Sequence, residues 1–192
     1  MHADFAAFDF IIQPGWNNSP PEHWQSHWQQ LLAAQRVGNH EWFAPQLHDW
    51  LQALEAAVAA ASKPVIVIAH SLGCATVAHY AARHGKRLAG ALLVAPADVE
   101  RASAPAQLQP FAPLPDGPLP FPSLVVASDN DPFSLPLRSV RMATRWHSRL
   151  YWLPRAGHIN VASGHQRWEQ GLDYLHELIA EIRAAAPQAA SA

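Results

Sequence analysis

Ser71 follows the run Val65-Ile66-Val67-Ile68-Ala69-His70 and precedes Leu72-Gly73. A β-branched apolar run ending on a serine between small residues is the pattern of a nucleophile elbow. The serine sits on a strained strand-to-helix turn, and the positions two before and two after it must be small so that the backbone can double back. Ala69 and Gly73 meet that need, with alanine where the usual motif has glycine. A hydroxyl so placed can attack an acyl carbonyl if a base takes its proton and an acid orients the base. The alternative role for Ser71 is a simple helix cap.

Both partners lie downstream in the order serine, acid, histidine. The loop Ser128-Asp129-Asn130-Asp131-Pro132-Phe133 carries two carboxylates, and Pro154-Arg155-Ala156-Gly157-His158-Ile159-Asn160 places a histidine after a glycine that lets it turn back. Asp131 is preferred as the acid because Pro132 fixes the backbone beyond it and sets the carboxylate at the top of the turn. Asp129 is the second candidate, with turn capping as its other role. Among the remaining histidines only His165 lies near the same strand end, and it falls at the entrance to the final helix. In this reading His158 takes the proton of Ser71 and later protonates the leaving group, while Asp131 holds the imidazole. The oxyanion would be held by the backbone N–H of Leu72 and by a second N–H from Pro14-Gly15-Trp16-Asn17-Asn18, with Trp16 the expected donor.

These residues need a scaffold that brings distant loops to one rim. Strands are predicted over Phe8–Ile12, Glu41–Phe43, Val65–Ala69, Leu88–Ala95, Ser123–Ala127 and Arg149–Leu153. Helical patterns cover Glu22–Gln35, Leu47–Ala61, Leu72–Arg83, Leu137–His147 and Gln166–Arg183. Strands alternating with helices imply an α/β fold with a mostly parallel, twisted sheet and helices on both faces. The near-continuous apolar character of Val65–Ala69 and Ala91–Ala95 suits central strands buried on both sides. Seven prolines between residues 105 and 122 argue against helix or central strand there, and an extended surface loop over the sheet edge is expected. Little material is then left between Ala95 and Ser123 for a cap, so the site should be open and shallow.

The chain has 192 residues, 49% of them hydrophobic, a size and composition suited to a single domain over 1–192 with a frayed tail at 184–192. A formal charge of −2 without basic blocks removes the electrostatic basis for a nucleic-acid partner. No apolar run approaches the ~20 residues a membrane span needs, and Met1-His2-Ala3-Asp4 lacks a signal-like start, so a cytoplasmic protein is expected. The single cysteine, Cys74, excludes an internal disulfide and fits packing inside the helix after Ser71. His23 and His27 stand four apart, as in a zinc-binding helix, but Trp24 occupies the position of the general-base glutamate and no third ligand is evident; metal binding is not expected. His70 should pack beside the turn, aimed away from Ser71. Of the eight tryptophans, Trp28 reads as packing of its helix on the sheet, and Trp16 fits packing or an aromatic wall for an acyl group equally well.

The combination of Gln13-Pro14-Gly15-Trp16, His23-Trp24 with Trp28, Ala69-His70-Ser71-Leu72-Gly73, the Ser128–Phe133 loop and Ala156-Gly157-His158-Ile159-Asn160 resembles the small serine hydrolases related to retinoblastoma-binding protein 9 and the bacterial YdeN-type proteins. The likeness runs from about Phe10 to Ile182. It implies a single-domain α/β-hydrolase fold without a large cap, with Ser71, Asp131 and His158 as the triad. Cofactor-free esterase activity on small acyl esters or thioesters is the function expected. A hydrolase-fold module for protein recognition with weak or vestigial activity is the alternative, its partner unspecified.

Overall fold

The computed structural model describes residues 5–85 and 87–185. The strongest sequence signal becomes the strand β3 (Val65–His70), in which every residue is buried. Its alternation serves two cores at once: Val65, Val67 and Ala69 point into one hydrophobic cluster and Ile66 and Ile68 into the other. Around it lie β1 (Asp9–Gln13), β2 (Gln35–Arg36), β4 (Gly90–Val94), β5 (Ser123–Ala127) and β6 (Arg149–Trp152). Among the described residues they form one six-stranded sheet in the order β2-β1-β3-β4-β5-β6, with every neighbouring pair parallel.

The helices α1 (Trp24–Leu31) and α5 (Gly171–Ala185) cover one face; α2 (Leu47–Ala59), α3 (Leu72–His84) and α4 (Pro136–Arg145) cover the other. The chain leaves β1 toward β2 on one side and leaves β3 toward β4 on the other. The direction of winding therefore reverses between β1 and β3, and the loops beyond their carboxyl ends part to open a crevice. Gly15-Trp16 and Ser71 lie at those two ends.

Four expectations are corrected. Glu41–Phe43 is not a strand: the second strand is the two-residue β2, and the 41–44 segment turns on Glu41, whose Oε1 accepts the N–H groups of Phe43 (2.6 Å) and Ala44 (3.1 Å). The proline-rich stretch is not a surface loop over the sheet edge. It contains a 3₁₀ helix, Ala106–Phe111, and buries Leu108, Phe111, Leu114, Leu119 and Phe121 in the α2/α3/α4-side core, because apolar side chains between the prolines outweigh the missing backbone donors. The first helix stops at Leu31, and Ala33 turns the chain with φ +50°. The last helix begins at Gly171, since Trp168 adopts φ +41° and its ring lies where a Cβ on Gly171 would stand, 2.4 Å from Cε3. Of the expected tail, Ala184 and Ala185 belong to α5; residues 186–192, like Met1–Asp4, lie outside the described residues. Among the described residues no helix is long and apolar enough to cross a membrane.

Candidate active site

Ser71 connects β3 to α3 with φ +55° and ψ −121°, a strained conformation for a residue with a Cβ. The tightness of the turn is measured by its neighbours. A Cβ on Gly73 would lie 2.4 Å from the carbonyl oxygen of Gln13 and 2.6 Å from that of Pro14, and one on Gly15 would lie 2.8 Å from the Cβ of Ser71. Glycine at these two positions lets the β1 loop lie directly against the elbow.

The structure brings Ser71, His158 and Asp131 together. Ser71 Oγ lies 2.9 Å from His158 Nε2, and His158 Nδ1 lies 2.9 and 3.0 Å from the two carboxylate oxygens of Asp131. A carboxylate only accepts, so Nδ1 carries the ring proton and Nε2 is free to accept from the serine hydroxyl. Asp131 Oδ1 also accepts the N–H of Phe133 at 2.8 Å. Asp129 points elsewhere and accepts the N–H of Arg155 at 2.7 Å.

The histidine loop is held by side chains from three other segments. Asp129, Ser128 and Asn130 accept the N–H groups of Arg155, Ala156 and Gly157 at 2.7, 2.9 and 2.7 Å. The indole N–H of Trp24 donates to the Ile159 carbonyl at 2.8 Å, and His70 Nε2 donates to the His158 carbonyl at 2.9 Å. Five consecutive residues, 155 to 159, each have a backbone group held by a side chain. The polar triplet Ser128-Asp129-Asn130 before Asp131 is the signal that could have revealed three of these five contacts, because these residue types bond backbone groups readily. His70 does pack beside the turn, its ring 4.8 Å from that of His158 between centroids.

The β1 loop is fixed from below. The carboxamide of Gln25 donates to the carbonyls of Gln13 (3.2 Å) and Ile68 (3.0 Å) and accepts from Ser19 Oγ (2.7 Å). Arg36 reaches the Asn18 side chain at 2.8 Å and the Ser19 carbonyl at 3.0 Å. The indole of Trp16 donates to the Phe43 carbonyl at 2.8 Å, so this half-buried ring both packs against the α2/α3/α4-side core and lines the crevice. Trp28 is buried in the opposite core, stacked on Trp168 with centroids 5.7 Å apart.

The crevice is a pocket of about 360 Å³ over Ser71 and His158. It is lined by Trp16 and Asn17 of the β1 loop, by Pro105 and Leu108 at the 3₁₀ helix, and by Phe133 and Val161. Burial keeps the imidazoles of His23 and His70 uncharged: His23 is pushed down to about 3, with Arg36 adding to the effect, and His70 falls well below its usual value, with His158 adding to it. Cys74 is buried and its thiol is raised by desolvation, with Sγ against the Val94 carbonyl. His23 caps α1 by accepting the Gln25 N–H at 3.1 Å. Among the described residues no three His, Cys, Asp or Glu side chains gather as a metal-binding group.

This architecture has close counterparts among solved structures. The chain is 33% identical to a protein described as a YdeN-like hydrolase from Pectobacterium atrosepticum, over 93% of this chain and 94% of that one, with a TM-score of 0.84. It is 22% identical to the ydeN gene product of B. subtilis, over 90% and 98% of the two chains, with a TM-score of 0.73. A thermophilic esterase from Thermogutta terrifontis shares the fold at 16% identity, over 91% and 90%, with a TM-score of 0.63. No curated protein sequence matches. The profile of the family described as serine hydrolase matches residues 10–177, and the chain belongs to the serine hydrolase family.

Proposed function

We propose that the chain hydrolyses small carboxylic esters or thioesters with Ser71 as nucleophile, His158 as base and Asp131 as the acid that orients it. The observation that carries this reading is the unbroken contact from hydroxyl to imidazole to carboxylate, at 2.9 Å for each link. As Ser71 Oγ bonds to the carbonyl carbon, His158 Nε2 takes the hydroxyl proton. The bond from that carbon to the leaving oxygen or sulfur then breaks as the leaving group takes the proton from His158. A water molecule gives a proton to His158 and bonds to the acyl carbon, the acid departs, and Ser71 recovers its proton.

The transient oxyanion is assigned to the N–H groups of Leu72 and Trp16. Leu72 opens α3, so its N–H has no carbonyl one turn earlier. In the β1 loop Asn17 donates to the Trp42 carbonyl and Asn18 to that of Gly15, while the N–H of Trp16, a residue that lines the pocket beside Ser71, has no backbone acceptor among the described residues. A small, uncharged substrate is supported by a pocket of about 360 Å³, near the low end of small-molecule sites. Among the described residues no Lys, Arg, Asp or Glu lines it.

The test is labelling by a fluorophosphonate probe together with turnover of p-nitrophenyl esters of rising chain length. Rapid labelling and turnover, both lost in Ser71→Ala, are the expected result. A folded wild-type protein that neither labels nor turns over an ester would refute the assignment.

A further inference from the structure

Two polar atoms in the pocket wall have no role in the chemistry above. His23 is 4% exposed and His70 5% exposed, and both line the pocket. Nδ1 of His23 accepts the Gln25 N–H, so a neutral ring carries its proton on Nε2. Nε2 of His70 donates to the His158 carbonyl, which leaves Nδ1 with a lone pair. Neither His23 Nε2 nor His70 Nδ1 has a hydrogen-bond partner among the described residues, and neither is among the sealed, unpartnered polar atoms. They therefore open on the pocket. The two rings stand 4.9 Å apart between centroids at 62°, and His70 lies 4.8 Å from His158 on the same measure.

We infer that His23 Nε2–H and His70 Nδ1 form a hydroxyl subsite, one ring removed from the base, and that the preferred substrate is an ester bearing a free hydroxyl near the reacting carbonyl. A hydroxyl accepts from His23 and donates to His70 through a single oxygen. A carboxylate cannot donate, an ammonium cannot accept, and an ether or ketone satisfies only His23. Burial depresses the proton affinity of both rings, so the pair stays one donor and one acceptor near neutral pH. An ester lacking the hydroxyl would exclude water from these groups and leave them unpaired, which is the basis of discrimination.

This inference rests on the esterase reading, and its test separates the two. Relative kcat/KM is measured for p-nitrophenyl 3-hydroxybutyrate against butyrate, and for glycerol monobutyrate against propyl butyrate; the first pair places the hydroxyl on the acyl group, the second on the alcohol. In wild type at least one ratio should favour the hydroxylated ester by about tenfold or more. In His23→Asn, which keeps a capping oxygen for α1, and in His70→Gln, which keeps a donor for the His158 carbonyl, that ratio should fall toward one. Turnover without preference in either pair, or a preference that survives in both variants, overturns the subsite and leaves the esterase intact. Absence of turnover and of Ser71 labelling overturns both. If His23→Asn does not fold, His70→Gln alone decides.

Discussion

Holding His23 uncharged inside the protein makes the fold sensitive to acid. The unfolded chain binds a proton on this ring near pH 6.5, whereas the folded chain resists it until about pH 3. As pH falls through 6.5 the unfolded state takes up a proton that the native state does not, so stability declines. Above pH 7 the effect vanishes. At pH 5 the unfolded ring is almost fully protonated and the native ring is not, which costs about 2 kcal/mol. His70 and His79 are depressed by burial as well and act in the same direction. The lowered carboxylates of Asp9 and Glu100 add to acid sensitivity only further down, as pH drops through their unfolded values near 4. Urea unfolding, followed by tryptophan fluorescence at pH 7.5 and pH 5, measures the change. His23→Asn keeps the cap and removes the titrating ring, so it should lose about 2 kcal/mol less than wild type between the two pH values. Equal losses in the two proteins would refute the buried, neutral His23.

Three further variants test the site. Asp131→Asn should lower kcat by about a thousandfold or more, since Asn cannot stabilise the imidazolium, while Asp129→Ala, which frees only the Arg155 N–H, should cost about tenfold; kcat for a p-nitrophenyl ester checks both, and a larger loss in the Asp129 variant would contradict the assignment. Gly15→Ala places a methyl 2.8 Å from the Cβ of Ser71 and 3.0 Å from the His70 carbonyl, so fluorophosphonate labelling of the folded variant should slow by about a hundredfold or more.

The parts most legible in the sequence are those that a single local constraint dictates. Val65–His70 reads as a central strand because burial on both faces admits only apolar residues, and Ser71 reads as an elbow because Gly73 must pass under the Gln13 carbonyl. The parallel sheet follows from the alternation of strand and helix. The less legible parts depend on contacts that no local pattern announces. Gln35–Arg36 is too short to carry a period, and it pairs because β1 offers an open edge. The proline-rich stretch hides its burial because Leu108, Phe111 and Leu114 recur every third residue, a 3₁₀ spacing set among prolines and not the alternation of a strand. His70 reads as a packing residue and Trp24 has no role assigned from the sequence, yet each donates to a carbonyl of a loop 88 or 135 residues away. Such bonds leave no local trace.

The clamp on residues 155 to 159 has a consequence for how the protein meets its substrates. Because the chain arrests this segment while it folds, the imidazole stands at bonding distance from the serine before any ligand arrives, and no closing motion is needed to assemble the centre. On the proposed esterase reading, turnover is then governed by how an ester enters and an acid leaves the pocket lined by Trp16 and Leu108, so selection among substrates falls to its walls.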